Sequence, residues 1–279
     1  METPCVATAP LPDCWVVGNG LLGGALAGAL QACGTRVLVL DPSAPADVVG
    51  DAADVSVLRC ASAMLPPQLV FCCQATGGGS EADYQHTYAG VVGALKDVVP
   101  QARMVFCSST SVYGSAVGEA DEDTQPVCPS VRAQVLLSAE SVVLERGGIV
   151  LRLAPLYGGK RCEVLRRFLC GAPCLPGKAE RLLNYLHVDD AVRALHTAAT
   201  AASGCYNVSG ECYCRGDLYA LLAEVTGRPV PQHVCSVSRR GLSDRRINCD
   251  RLLRLGWRPM MNLRRFTELY SDRFLTDAT

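Results

Sequence analysis

The stretch Trp15 to Asp41 constrains this chain most. An apolar run ends at Gly18, and Gly18, Gly20 and Gly23 then give G-x-G-x-x-G. From Leu21 to Cys33 the positions Leu22, Ala25, Leu26, Ala29, Leu30 and Cys33 share one helical face. A second apolar run, Val37 to Leu40, ends on the acid Asp41. Strand, glycine turn, helix and a second strand closed by a carboxylate, in that order, form the dinucleotide-binding fingerprint. Gly18 permits the tight turn, Gly20 lets the backbone approach a pyrophosphate, and Gly23 lets the helix lie close on the sheet. Free N–H groups and the dipole at the helix start hold the anion. Asp41 can accept hydrogen bonds from both ribose hydroxyls and would repel a 2′-phosphate, so NAD(H) is favoured over NADP(H).

The rest of the first half repeats the alternation. Leu69–Cys73, Arg103–Cys107 and Ile149–Leu153 read as buried strands, and 54–63, 81–98 and 130–146 as helices. Val48–Gly50 is a short strand, separated from Val37–Asp41 by too few residues for a full crossover helix. This pattern predicts an α/β fold: a Rossmann-type, doubly wound parallel sheet over residues 13–158. In such sheets ligands sit at the carboxyl ends of the strands. Gly18–Gly23, Asp41, Asp51, Ala75, Ser108–Ser109 and Ala154–Tyr157 all fall there.

Beyond Gly158 the periodicity weakens. Residues 187–208 return to the sheet through Tyr206–Val208, while 159–186 and 209–279 form a smaller substrate lobe. Asp189 is the natural N-cap of the helix Ala191–Ala201. The last fifty residues are locally basic, with Arg239, Arg240, Arg245, Arg246, Arg251, Arg254, Arg258, Arg264 and Arg265. A solvated face of short helices is the preferred reading, and a lobe for an anionic substrate the sharper one.

With 279 residues the chain can bury a substantial core, and 49% hydrophobic against 19% charged residues excludes disorder. A net charge of −1 makes no global case for nucleic acid or a membrane surface. Residues 1–13 lack a basic start followed by an apolar run, and the apolar stretches are too short for a bilayer, so a cytoplasmic protein is expected. The sixteen cysteines include no C-x-x-C, and the four histidines stand at no zinc spacing from them. No metal and no disulfide is expected. Most thiols belong in the core, and exposed ones are open to oxidation.

These residues resemble the extended short-chain dehydrogenase/reductases, the NAD-dependent epimerase/dehydratase family. The resemblance rests on GNGLLG at 18–23, GD at 50–51, SSTSVYG at 108–114, LRLAPLYG at 151–158, LHVDDAVRAL at 186–195, YNVSG at 206–210 and LGWRP at 255–259. It implies that Gly18, Asn19, Gly20, Leu21, Leu22 and Gly23 hold the pyrophosphate. It gives Asp41 the adenine ribose and Asp51 the adenine, and it places Ala75 and Pro155 beside the nicotinamide. Ser109 matches the residue that hydrogen-bonds the substrate's reacting oxygen.

One departure stands out. The family's Y-x-x-x-K belongs on the helix 130–146, which contains neither Tyr nor Lys. Matching Pro129 and Glu140 puts Arg132 at the tyrosine position and Leu136 at the lysine position. Ser109 with Tyr113 is then the first surviving polar pair, and Arg132 a fixed cation able to orient a ribose or stabilise an alkoxide. The favoured activity is an oxidoreductase or epimerase acting on a small carbonyl, hydroxyl or sugar-nucleotide substrate with a non-standard acid/base. The alternative is a dinucleotide-binding sensor or scaffold without turnover. The resemblance also implies a homodimer paired through the helices 81–98 and 130–146.

Overall fold

The computed structural model describes residues 10–127, 129–172, 178–231 and 244–276. Cys174, Arg239, Arg240 and residues 1–9 lie outside them. The first half runs β1 (Cys14–Val17), α1 (Leu21–Ala32), β2 (Val37–Asp41), β3 (Val48–Val49), α2 (Val55–Met64) and β4 (Leu69–Cys72). After α3 (Glu81–Tyr84) and α4 (Val91–Val98) come β5 (Arg103–Ser109), β6 (Val117–Ala120), α5 (Val131–Glu145) and β7 (Ile149–Leu153). Then follow β8 (Leu156–Tyr157), α6 (Glu163–Leu169), β9 (Leu182–Asn184), β10 (Leu186–His187), α7 (Val188–Ala199), β11 (Gly204–Val208) and β12 (Cys212–Cys214). The chain closes with α8 (Arg215–Thr226), β13 (Asp244–Ile247), α9 (Asp250–Arg254) and α10 (Leu263–Thr276).

Seven strands form one sheet in the order β11-β7-β5-β4-β1-β2-β3, parallel throughout. Strands buried on both faces read as near-continuous apolar runs, and CWVV, LVFC and IVLRL are wholly buried, Arg152 in the last included. Helix α1 packs on α7, and α2, α4 and α5 pack beside one another. At the centre Trp15 is fully buried, and its Nε1 donates to Leu65 O at 2.8 Å. As anticipated, β3 joins β2 through a short link with no crossover helix.

A second, smaller apolar cluster gathers Tyr157, Phe168, Leu218, Tyr219, Leu263 and Phe266 from β8, α6, α8 and α10. The segment after it in space is tied elsewhere. Ile247, Cys249, Leu252 and Trp257 join the core of the sheet body. Fully buried Asp190 on α7 accepts from Met260 N at 2.9 Å and Met261 N at 3.1 Å, while its carbonyl takes the Trp257 indole N–H at 3.0 Å. That is the structural use of the sequence around Trp257.

Two local expectations are corrected. The helix 81–98 is not continuous, because Gln85–Gly90 widens into a π turn between α3 and α4. Such turns insert a residue that a regular helical period cannot show, and they cluster at functional sites. The cap of α7 is His187 rather than Asp189. The helix already begins at Val188, and His187 Nδ1 accepts from Asp189 N at 3.2 Å.

Candidate functional site

A cleft of about 1280 Å³ runs along the carboxyl edge of the sheet. It exceeds the roughly 300–1,000 Å³ typical of a single drug-sized ligand. Gly18, Gly20, Leu21 and Leu22 line one end, Asp41 and Asp51 follow, and Ala75, Pro155, Ser109 and Arg132 line the rest. Residues far apart in sequence meet here because parallel strands deliver all their carboxyl ends to one edge.

The glycines divide the work. A Cβ on Gly18, at φ +94°, would sit 2.7 Å from the Gln74 backbone, and one on Gly23 would sit 1.8 Å from Gly18 O. Both are packing positions that bring α1 onto the sheet, and Gly23 does not line the cleft. A Cβ on Gly20 would meet nothing within 4 Å, so its missing side chain is space left in the cleft. Gly20 is the N-cap of α1 and no side chain caps the helix, leaving its first amides open to an anion. Asn19 is absent from the cleft wall. Its amide donates to Asp41 Oδ2 at 2.6 Å, and its side chain reaches Pro45 O.

Asp41 is thus aimed by its neighbours. Its Oδ1 accepts from Ser43 N at 2.9 Å and Ser43 Oγ at 2.7 Å. Partial burial pushes its pKa up, but the bonds from Asn19 and Ser43 outweigh that and hold it below the usual carboxylate value. Asp51 accepts from Ala53 N at 2.8 Å and meets His86 Nε2 at 2.5 Å. Its burial also pushes upward, and these bonds again win. His86 comes from the π turn. Beside the glycine corner the cleft also carries Gln74, whose Nε2 donates to Thr87 O at 3.2 Å while its buried Oε1 has no protein partner. An anion-ready helix start, vacant space at Gly20, an aimed acid on β2 and an orphaned acceptor on Gln74 fit a dinucleotide.

At the far end Ser109 Oγ accepts from Ser111 N at 3.1 Å, which leaves its own proton to donate into the cleft. Arg132, in the first turn of α5, lies over the Tyr84 ring with Cζ 5.3 Å from the centroid. Leu136, one turn further, is buried. Tyr113 is not part of this constellation. It is fully buried, donates to Asn207 Oδ1 at 2.6 Å and accepts from Arg152 Nη1 at 3.2 Å. Burial pushes its pKa up to about 12. The expected Ser109–Tyr113 pair is therefore not formed, because the 110–113 turn points the ring into the core.

Among the described arginines of the basic segment, Arg246, Arg254, Arg258 and Arg265 are exposed and Arg251 and Arg264 half-buried, in keeping with a solvated face, and Arg245 departs from it. Arg245 is buried, donates to Gly114 O at 2.8 Å and Ala116 O at 3.2 Å, and stacks on Tyr113. Arg264 is bidentate with Glu224. Tyr84, Gln74 and His86 are among the cleft residues that escaped the sequence reading. The only signal for them was their place after the β4 edge.

A family model described as the NAD dependent epimerase/dehydratase family matches residues 15–209. The chain belongs to that family. Protein YeeZ of Escherichia coli strain K12 is 30% identical over 247 residues, 78% of this chain and 85% of its own length. Among solved structures, a UDP-glucose 4-epimerase of Thermus thermophilus in complex with NAD superposes with TM-score 0.78 at 22% identity, covering 95% of this chain and 99% of that one. A Thermotoga maritima UDP-glucose 4-epimerase with UDP-glucose gives 0.77 at 20%, covering 96% and 100%. At that identity the likeness is one of fold. The epimerase/dehydratase fold and its glycine corner are therefore retained here, on a helix α5 without tyrosine or lysine. Among the described residues no helix is long and apolar enough to cross a membrane.

Proposed function

We propose that this protein binds NAD(H) in the cleft and acts as an oxidoreductase or epimerase on a small carbonyl, hydroxyl or sugar-nucleotide substrate. The observation that carries this reading is the continuity of the cleft from the Gly20 corner to Ser109 and Arg132. Gly18, Gly20, Leu21 and Leu22 would hold the diphosphate, Asp41 the adenine ribose and Asp51 the adenine end. Ala75 and Pro155 would flank the nicotinamide, whose chemistry is hydride transfer. Ser109 donates its proton to the substrate's reacting oxygen. Arg132 places a permanent positive charge where negative charge grows on that oxygen, and it does not give up its proton. Arg161, Arg181 and Arg245 on the lobe side of the cleft suit an anionic substrate.

A second reading has its own observation. Leu136 is buried where the family resemblance expects a lysine, and Tyr113 faces the core, which favours a dinucleotide sensor without turnover. Incubating the protein with NAD and a panel of sugar nucleotides and alcohols separates the two. Reduction of NAD by any member supports the enzyme. Tight NADH binding with no hydride transfer across the panel replaces it with the sensor. Failure to bind NADH removes both.

The homodimer is also a proposal. Val135, Leu136 and Val143 of α5 are buried within the chain's own core and Val131 is exposed, so less apolar surface remains for a second copy than the sequence suggests. Sedimentation gives the mass directly.

A further inference from the structure

Cys73 and Cys107 meet at the cofactor end of two neighbouring strands. Their sulfurs are 3.7 Å apart. The register that pairs Cys72 with Phe106 continues one step to place Cys73 beside Cys107. Adjacent strands lie about 4.7–4.9 Å apart, inside the 4.4–6.8 Å Cα separation that a disulfide spans. Both residues line the cleft; Cys73 is buried and Cys107 half-buried. An oxidant entering the cleft thus reaches Cys107 with Cys73 directly behind it.

We propose that Cys73 and Cys107 form a reversible thiol–disulfide pair that loosens the dinucleotide cradle when oxidised by a hydroperoxide. This rests on the NAD-binding reading for its effect, though not for its chemistry. The Cys107 sulfur attacks the peroxide, forming a sulfenic acid and releasing one water. The Cys73 sulfur then attacks the sulfenic sulfur, the S–S bond forms, the S–O bond breaks, and the hydroxyl leaves as water with the remaining thiol proton. Two thiols lose two electrons in all, and hydrogen peroxide becomes two waters.

The coupling to the cradle is steric. Closing the bond draws the sulfurs from 3.7 Å to about 2.05 Å. Cys73 is packed under the glycine corner. A Cβ on Gly23 would lie 3.3 Å from Cys73 Cβ, and one on Gly18 would lie 3.0 Å from Cys73 C. Cys73 N also donates to Val17 O at 2.8 Å. Pulling Cys73 toward β5 therefore disturbs the support of the diphosphate corner, and on the other strand it shifts Cys107, two residues before Ser109. The hydrogen bond between the thiols, followed by burial, holds the Cys73 thiol in its protonated form, so Cys73 gives up that proton as it attacks the sulfenic sulfur.

The test treats the full chain with hydrogen peroxide, blocks remaining thiols with iodoacetamide, and maps linked peptides by mass spectrometry. NADH is titrated by fluorescence in parallel. The expected result is a peptide joining Cys73 to Cys107, absent in Cys107→Ser, and an NADH affinity about tenfold weaker, some 1.4 kcal/mol. Dithiothreitol restores the affinity, and Cys107→Ser shows the same affinity before and after peroxide. Separate alkylation of Cys73 and Cys107 after peroxide overturns the pair. A linked peptide with unchanged NADH affinity overturns the switch. If the reduced protein binds no NADH, the cofactor reading and the switch fail together, while the linked peptide still decides the pair.

Discussion

Arg152 on β7 and Glu140 on α5 form a buried ion pair, with Nη2 2.7 Å from Oε2 and side chains 10% and 3% exposed. Around it Ser108 Oγ donates to Glu140 at 2.5 Å, Arg152 reaches Tyr113 and Glu122 O, and Asn207 N donates to Glu122 Oε1 at 2.8 Å. This network fastens α5 and the 110–127 loop to the sheet behind Ser109. Removing one member strands the other charge in the core. Glu140→Leu or Arg152→Met alone should cost about 3–5 kcal/mol, and the two together much less. Urea midpoints of the two single variants and the double variant measure this, and a double loss equal to the sum of the single losses would show the pair to be uncoupled.

Asp41→Ala should weaken NADH about tenfold, near 1.4 kcal/mol, and NADPH less. The carboxylate accepts from ribose hydroxyls in the first case and opposes a phosphate in the second. Parallel fluorescence titrations check it. Equal weakening of the two ligands removes Asp41 from the ribose.

Gly20→Ala and Gly23→Ala should part company. A Cβ at Gly20 meets nothing within 4 Å, so the fold should lose no more than about 1 kcal/mol of cap preference, while NADH binding falls because the methyl occupies the diphosphate's approach. A Cβ at Gly23 falls 1.8 Å from Gly18 O and should lower Tm sharply or abolish folding. Thermal melts beside NADH titrations separate the effects.

His187 gives the protein a pH dependence of known sign. Burial lowers its pKa, and Arg193 adds to this while Asp189 opposes it. The unfolded imidazole, near 6.5, takes a proton that the folded one refuses, so unfolding binds protons as the pH drops. The contribution of His187 is complete above about pH 6.5 and is lost as pH falls toward the depressed folded pKa, at no more than about 1.4 kcal/mol per pH unit. His187→Asn keeps a capping oxygen without the titration. Its Tm should fall less than that of the unchanged protein from pH 7 to pH 5, and parallel curves would remove His187 as the cause.

Periodicity sufficed for the sheet. The runs at Cys14–Val17 and Leu69–Cys72 are apolar throughout because both faces are covered, Ile149–Leu153 is interrupted only by the paired Arg152, and a one-dimensional pattern carries that information. The glycine corner was legible for the same reason, since its demands concern the backbone of consecutive residues. Side-chain direction at the ends of elements was not. Tyr113 reads as a polar residue beside Ser109, yet Asn207 and Arg152, distant in the chain, draw its hydroxyl inward. His187 takes the cap expected of Asp189, because the helix start depends on where β10 ends against β8.

By itself, then, the order of residues determined a parallel sheet with a phosphate-ready helix start and a carboxylate on the next strand, since those are local rules of backbone and spacing. Only the folded chain decided that Tyr84 and Arg132 share a wall, that Arg245 turns inward from the otherwise exposed basic segment to bond Gly114 O, and that two cysteine sulfurs touch beneath the glycines. Those contacts join residues tens of positions apart, and their geometry comes from strand order and packing, which no local pattern encodes.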